Sequence, residues 1–483
     1  MENKHLFAKN SILYLIAMII PKVAGFIVLP IYTRHIVPEE YGIYSLTTSM
    51  MGVMAVLSSM GLNAFYLRNY AVAEDKKELN GTIFWSMAVW NTFLFLLSLL
   101  VMPFVLKLVK APFSFYPYML LALVTQLFNS MEIIPMRTYR IRGEVKYYLI
   151  RIATKTFLNV AFGLTFVVGL QLGVLGKYYS ELITTFIFAV IFILYMKRNS
   201  YLRINKALLR KALKFSLPIV PSDLVQMSSP MLINMIIEKV LSLAQLGVYS
   251  IGVTISGVIH LITTSIYLTV EPVLYTRAAS EDYPQFFKKL KDITIITVGI
   301  LCVGAGLFVR EAILLLLPQR IWNSWKIVQI IATSYIVHVL KNMYSQLVII
   351  QGRTSRLLWG NMGYLLGSVL VCIAALPRWG ENALGWSNII GLLAAFFILY
   401  VSVDKSNYKG MNIIRDLCML LLAIATLYVS RISHSYPILL SIGLKLVIYL
   451  VYVLILTAMY HIYPRQILKA LVPGKGRKGD RQC

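Results

Sequence analysis

The dominant pattern along the 483 residues is a succession of apolar runs, each about 20 residues long, separated by short polar connections. A run of that length spans the hydrocarbon core of a bilayer as a helix, and the runs predict about fourteen such spans. Their centres fall near Ile20, Met54, Leu94, Thr125, Phe157, Thr185 and Gln226, then near Ser256, Gly299, Val337, Ser368, Leu392, Ala423 and Ile448. Spans of about 24 residues take up roughly 340 residues, which leaves short loops and a tail but no soluble catalytic domain. The first run, Ser11 to Tyr32, is too long for the apolar stretch of a signal peptide and lacks a small-residue cleavage site, so it reads as the first span.

Composition agrees with this pattern and excludes a string of soluble domains. Hydrophobic residues make up 58% of the chain, charged residues 14%, and the mean hydropathy is +0.73; a soluble chain is about a quarter charged. The net charge of +26 would point to nucleic acid in a soluble protein, but its distribution argues otherwise. With the N-terminus placed inside, 31 of the 46 Lys and Arg residues fall on the inner segments, 9 on the outer ones and 6 within spans. That excess is the positive-inside signature, and it places both termini in the cytoplasm. No nucleic-acid partner is needed to explain the charge. The basic ending PGKGRKGDRQC is suited to anionic lipid. The four cysteines (Cys302, Cys372, Cys418, Cys483) have neither metal-ligand nor disulfide spacing.

An internal repeat organises the chain. RHIVPEEYGIYSL recurs as KVLSLAQLGVYSI at an offset of 205, which aligns Arg34 with Lys239, Gly42 with Gly247, Tyr44 with Tyr249 and Ser45 with Ser250. Six spans separate the copies, so both enter the membrane in the same direction. The expected fold is therefore an all-α polytopic membrane protein with two six-helix lobes, related by a pseudo-twofold axis along the membrane normal. The expected divisions are 1–203 and 204–405 for the lobes, 406–463 for an extra helix pair and 464–483 for a basic cytoplasmic tail. The cation-rich connection from Lys197 to Lys214 is the expected hinge. Pro21 and Pro30 in the first span, Pro218, Pro221 and Pro230 in its repeat partner, and Pro272 in the eighth interrupt backbone hydrogen bonding where a mobile helix would bend.

Charges inside the spans carry most of the chemistry. Each cation facing lipid at mid-bilayer costs about 2.5–3.5 kcal/mol, so Lys22, Arg151, Lys155, Lys177, Lys341 and Lys445 must pair, snorkel or line a wet cavity. Lys177 and Glu181 are spaced as a helical ion pair, and Lys445 and Arg151 are placed to snorkel. Lys22, Lys155 and Lys341 have no acid within four residues on their own helices. Together with Arg151 they are the candidate substrate-binding cations, suited to a phosphate or diphosphate that is held and then released. An anionic amphiphile fits best, because its tail can stay in lipid while its head crosses. Glu132, Asp223 and Glu271 are candidates for ion coupling or for pairing with those cations. His260 and His338 read as hydrogen-bonded packing residues. There is no phosphate-cradling glycine loop, no metal-spaced cluster and no nucleophile beside a base, so neither an enzyme activity, a metal nor a cofactor is expected.

Three stretches resemble a known family. PKVAGFIVLPIYTRHIVPEEYGIYSL (Pro21 to Leu46) resembles the opening of the polysaccharide-export flippases, the oligosaccharide-lipid branch of the multidrug/oligosaccharidyl-lipid/polysaccharide exporter superfamily. KFSLPIVPSDLVQMSSPMLIN, followed by LSLAQLGVYSIG, resembles the start of their second lobe, and LPRWGENALGWSNIIG the re-entry before their twelfth span. The resemblance implies a V-shaped transporter in the bacterial cytoplasmic (inner) membrane. It would move a polyprenyl-diphosphate-linked oligosaccharide across that membrane by alternating access, for surface polysaccharide synthesis. The implied partners are the lipid-linked oligosaccharide, membrane lipid, and polysaccharide polymerase and export machinery. The related lipid II flippases carry a basic residue at the position of Lys22, but their further Arg–acid pair would fall on Val28 and Leu29. An Asp-Arg pair common in the family would fall near Ile233 and Asn234. These departures argue against a peptidoglycan precursor as cargo. The alternatives within the superfamily are a lipid II-type flippase and a cation-coupled antiporter of drugs or small metabolites; the antiporter predicts about twelve spans and an acid-dominated cavity. A membrane enzyme or assembly scaffold would need acid or histidine motifs at the membrane surface.

Overall fold

In hydrocarbon a backbone can satisfy its N–H and C=O groups only within itself, so each apolar run becomes a helix. The computed structural model describes residues 2–277, 280, 282–404 and 413–460, and these contain helices and turns but no strand. Helix α1 (Glu2–His35) crosses first and α2 (Pro38–Ser59) returns, passing into α3 (Leu62–Asn69) through a 49° bend. The bend falls at Met60 and Gly61, both with positive φ. Helices α4 (Lys76–Leu108), α5 (Leu120–Ser130) with α6 (Ile133–Ile141), α7 (Val145–Leu164) and α8 (Gly173–Asn199) complete the first lobe. The second lobe comprises α9 (Lys206–Ser216), α10 (Val220–Val240), α11 (Leu243–Arg277), α12 (Tyr283–Leu316), α13 (Ser324–Ile350), α14 (Arg356–Trp379) and α15 (Asn382–Ser402). A C-terminal pair follows, α16 (Ile413–Val429) and α17 (Ile438–Tyr460). The basic tail, 464–483, lies outside the described residues.

Eleven helical segments among the described residues are long and apolar enough to cross a membrane, and the bent α2–α3 pair makes a twelfth. Helices α10 and α13 are more polar, yet each is packed within the bundle as a further passage, in keeping with the expected fourteen. Exposed apolar side chains form the outer belt: Phe104 is 73% exposed on α4, and Leu439 86% on α17. Such a surface would aggregate in water but matches lipid.

The repeat extends to whole elements. Helix starts at Pro38, Lys76, Val145 and Gly173 recur at Leu243, Tyr283, Arg356 and Asn382, offsets of 205 to 211. Helix α1 corresponds to α9 and α10 together. It runs unbroken through Pro21 and Pro30, whereas its counterpart is interrupted at Leu217–Ile219. Pro218 sits within that interruption and Pro221 in the first turn of α10, where no helical N–H is lost. The connection before it is fastened to the first lobe. Tyr201 N donates to Lys77 O (3.3 Å), Asn205 N to Thr82 Oγ1 (3.1 Å) and Asn205 Nδ2 to Glu78 Oε1 (3.0 Å).

The near end of the bundle is taken as the one at which α1 begins. At the far end the lobes are clamped by the repeat itself. A Cβ on Gly42 would collide with the Leu243 carbonyl, and one on Gly247 with the Pro38 carbonyl, so the aligned glycines let the starts of α2 and α11 cross backbone to backbone. Arg320 Nη2 donates to Thr33 O (2.6 Å) and Ile36 O (3.2 Å) at the end of α1. Lys239 Nζ donates to Lys110 O, and Asn234 Nδ2 to Ser45 Oγ (3.1 Å). Helix α2 packs along α10, whereas the equivalent pair, α1 and α11, meets over a shorter stretch, leaving that seam looser.

The C-terminal pair is held to α12 by buried charges. Lys445, expected to snorkel, is instead wholly buried and donates to Glu311 Oε1 and Oε2 (2.7 and 2.8 Å); Ser441 Oγ reaches the same carboxylate (3.3 Å). Toward the near end Lys291 pairs with Asp416 and with Asp292 (3.3 Å), Arg415 pairs with Asp292, and Tyr460 Oη donates to Asp416 (2.9 Å). Lys445 and Glu311, Lys291 and Asp416, and Arg415 and Asp292 each lie more than 120 residues apart in sequence, so no helical spacing announces them.

Two outcomes follow from this packing. Lys445→Met leaves the buried Glu311 carboxylate with only the longer cationic contact to Arg310 (3.5 Å) and should cost about 3–5 kcal/mol, whereas Glu311→Leu with Lys445→Met should restore most of it; thermal unfolding in detergent measures both. Gly247→Val should force the far ends apart. The distance between spin labels at Leu172→Cys and Trp379→Cys should lengthen, as it should to a smaller extent with Arg320→Ala, and unchanged distances would show the clamp is not what holds that end.

Candidate anion site

Between Ile331 and Val348 helix α13 is buried except along one stripe, where Tyr335, His338, Lys341, Asn342 and Ser345 keep partial exposure at helical spacing. His338 from this stripe packs against His260 of α11, with ring centroids 5.3 Å apart at 61°. Tyr335 lies 5.1 Å from the His260 ring. Asn342 Nδ2 is 3.4 Å from His338 Nδ1, and Thr264 Oγ1 is 3.5 Å from His260 Nε2. Lys341 is close enough for its charge to act on His338. From the opposite lobe, exposed Lys22 of α1 acts on His260. Among the described residues neither lysine is ion-paired. Two cations expected from sequence as separate candidates thus flank one histidine pair across the α1–α11 seam. The helical face that carries Lys22 continues through Phe26, Leu29 and Pro30. These three line an apolar cavity of ≈ 230 Å³ with Ile255 and Ile259 of α11 and Leu316 of α12.

Lys155 is placed differently. Its ammonium donates to Glu132 Oε2 (2.7 Å) and Asn129 Oδ1 (3.2 Å), so the acid absent from its own helix comes from the α5–α6 junction. Glu132 is accordingly a partner of that lysine. The pair borders a cavity of ≈ 320 Å³ inside the first lobe, lined also by Arg137, Arg140 and Arg151. Arg151 therefore faces this cavity with the other arginines, apart from Lys22 and Lys341. Lys177 and Glu181, expected to pair, have Tyr44 as an intermediary: Tyr44 Oη donates to Glu181, and the ammonium sits 3.5 Å over the Tyr44 ring. Asp223 is partly exposed in the first turn of α10 with no ion-pair partner among the described residues. The Glu271 side chain lies outside them.

Sequence reasoning missed the histidines as members of the site, because each taken alone on an apolar helix reads as packing. The stripe Tyr335, His338, Lys341, Ser345 was the available signal: polar groups at every turn of an otherwise apolar span mark a wet face. Arg137 and Arg140 were counted only as loop cations. Among the described residues there is no cluster of three or more His, Cys, Asp or Glu arranged for a metal.

The fold is shared with solved transporters. The lipid II flippase MurJ, in an inward closed conformation, matches with a TM-score of 0.71 at 13% identity over 95% of this chain and all of its own. An inward-facing multidrug resistance MATE family transporter of the MOP superfamily matches at 0.63 and 14% identity, over 82% of this chain and 99% of its own. A MOP superfamily transporter from Pyrococcus furiosus, described as having a binding pocket of reversed polarity, matches at 0.55 and 15% identity, over 82% and 93%. No curated protein sequence matches. The model of the polysaccharide biosynthesis protein family matches residues 31–324, which spans the far-end clamp and the first half of the repeat's second copy, and the chain belongs to that family.

Proposed function

We propose that this protein flips a polyprenyl-diphosphate-linked oligosaccharide across the bacterial cytoplasmic membrane by alternating access, for surface polysaccharide synthesis. The observation that carries this reading is the neighbourhood of Lys22, without an ion-pair partner among the described residues, and an apolar cavity on one face of α1, at the looser seam between the lobes. A diphosphate headgroup would lie against Lys22 and Lys341 while its hydrocarbon chain occupies the cavity and the lipid beyond. Lysine suits the task because its hydrated point charge releases an anion more readily than a bidentate guanidinium does. Membership of the polysaccharide biosynthesis family supports the cargo class.

In this reading the near end is cytoplasmic, with both termini there, as the basic residues favour. The clamped far end keeps the site closed to the periplasm until the lobes rock. The arginine-lined cavity of the first lobe, with Arg151 and the Lys155–Glu132 pair, would receive a phosphate entering from the cytoplasmic side. Asp223 and Glu271 are the remaining acids for ion coupling, and the product would pass to a polymerase and export machinery.

Lys22→Ala should abolish transport at normal protein level, and Lys22→Arg should retain part of it. A null mutant should accumulate lipid-linked repeat units facing the cytoplasm, read by extraction and accessibility to an impermeant glycosidase. Full activity of the Ala variant would remove Lys22 from the site, and normal lipid-linked pools with normal surface glycan in the null mutant would overturn the function.

A further inference from the structure

The histidine pair is held unlike a packing residue. Both rings keep partial exposure at mid-span, and their side-chain hydrogen-bond contacts are long ones, at 3.4 and 3.5 Å. A histidine retained for packing alone would be buried with one nitrogen on a short, fixed bond, since that bond sets the tautomer. Here each ring has a nitrogen on which a proton can arrive or leave.

Among the described residues, the charges that act on the pair have one sign. From α1, Lys22 acts on His260; from α13, Lys341 acts on His338 and Tyr335 lies against His260. Behind Tyr335 stand Cys302 of α12 and Tyr364 of α14. Helices α2, α10, α15 and α16, also packed on α11 or α13, bring no charge that acts on either ring among the described residues. A proton added to an empty site therefore joins two ammonium groups, an arrangement that like charges oppose. A proton added together with an anion joins a cluster whose charge is being neutralised. The second ring, 5.3 Å away, is kept from a second proton by the first.

We propose that the His260–His338 pair is the proton-taking part of the anion site: one proton comes onto the pair as a diphosphate diester settles between Lys22 and Lys341, and departs when the headgroup leaves. No covalent bond changes. The proton comes from water at the open end and is held on an imidazole nitrogen in contact with a phosphate oxygen. The inference rests on the reading of this seam as a diphosphate site, and makes binding of that headgroup proton-linked.

The test uses the full-length protein in lipid nanodiscs and, as probe, a farnesyl diphosphate monosaccharide diester. Both phosphates of such a diester stay ionised across the histidine range, so any proton taken up is on the protein. Calorimetric titration from about pH 5 to about pH 8, in two buffers of different protonation enthalpy, counts protons directly. The expected result is uptake of up to one proton per probe, with affinity falling up to about tenfold per pH unit toward the alkaline end. His260→Gln and His338→Gln should flatten that slope to less than about twofold per unit, whereas Lys22→Ala should weaken binding at every pH and keep the slope. Binding that is independent of pH and takes up no proton in the unmodified protein would overturn the inference while leaving the diphosphate site standing; this outcome needs no variant to fold. A slope that survives in both glutamine variants would also overturn it. Absence of binding at any pH would overturn the underlying reading itself.

Discussion

A cation within hydrocarbon must find a counter-charge, a ring face or water, and the interior of this protein is arranged around that requirement. Lys445 takes Glu311, Lys291 takes Asp416 and Asp292, Lys155 takes Glu132, and Lys177 takes the face of Tyr44. These solutions spend the available acids on holding helices together. Among the described residues Lys22 and Lys341 are left without a carboxylate partner, and the two histidines on which they act add no negative charge. In the function proposed above, an anion brought from outside would supply it.

The pseudo-twofold repeat accounts for where the looser seam lies. Its best-matched segment, the start of α2 and of α11, is where the two copies touch each other, and glycine at position 42 and again at 247 permits the contact. Identity is retained there because one backbone crossing serves both copies at once. Away from the crossing the copies diverge. Helix α2 ends in a bend at Met60–Gly61 while α11 is one continuous helix, and α1 is continuous while its counterpart breaks at Leu217–Ile219. The divergence makes the two seams unequal, close between α2 and α10 and looser between α1 and α11. The amphiphilic cargo proposed above would use that inequality, since its head would enter the protein while its tail remains in lipid.

The pair α16–α17 is bound to the second lobe by ion pairs at both ends of α12 rather than by shape alone. Apolar helices pack on one another with little preference in lipid, because hydrocarbon on the partner is no better than hydrocarbon outside. Buried charges remove that ambiguity: any other docking position would separate Lys445 from Glu311 and Asp416 from Lys291. They specify position more than they add stability, because desolvation offsets much of the attraction.

Much of the architecture was legible in the sequence. The length of the apolar runs dictated helical spans, the offset of 205 dictated two parallel lobes, and Lys22 stood out because no neighbour on its helix could neutralise it. These are properties of one helix, or of one copy against another, and need no knowledge of who packs on whom. Pairings between helices were hidden. Lys445 looked free to snorkel until Glu311, 134 residues away, arrived from α12; Lys155 looked unpaired until the α5–α6 junction delivered Glu132; and His260 and His338 looked like separate packing residues until α11 and α13 set their rings together. The linear chain determines which groups must be satisfied, because that depends on their chemistry and on the membrane. Only the tertiary structure decides which of them satisfy one another, because that depends on contacts between helices far apart in the chain.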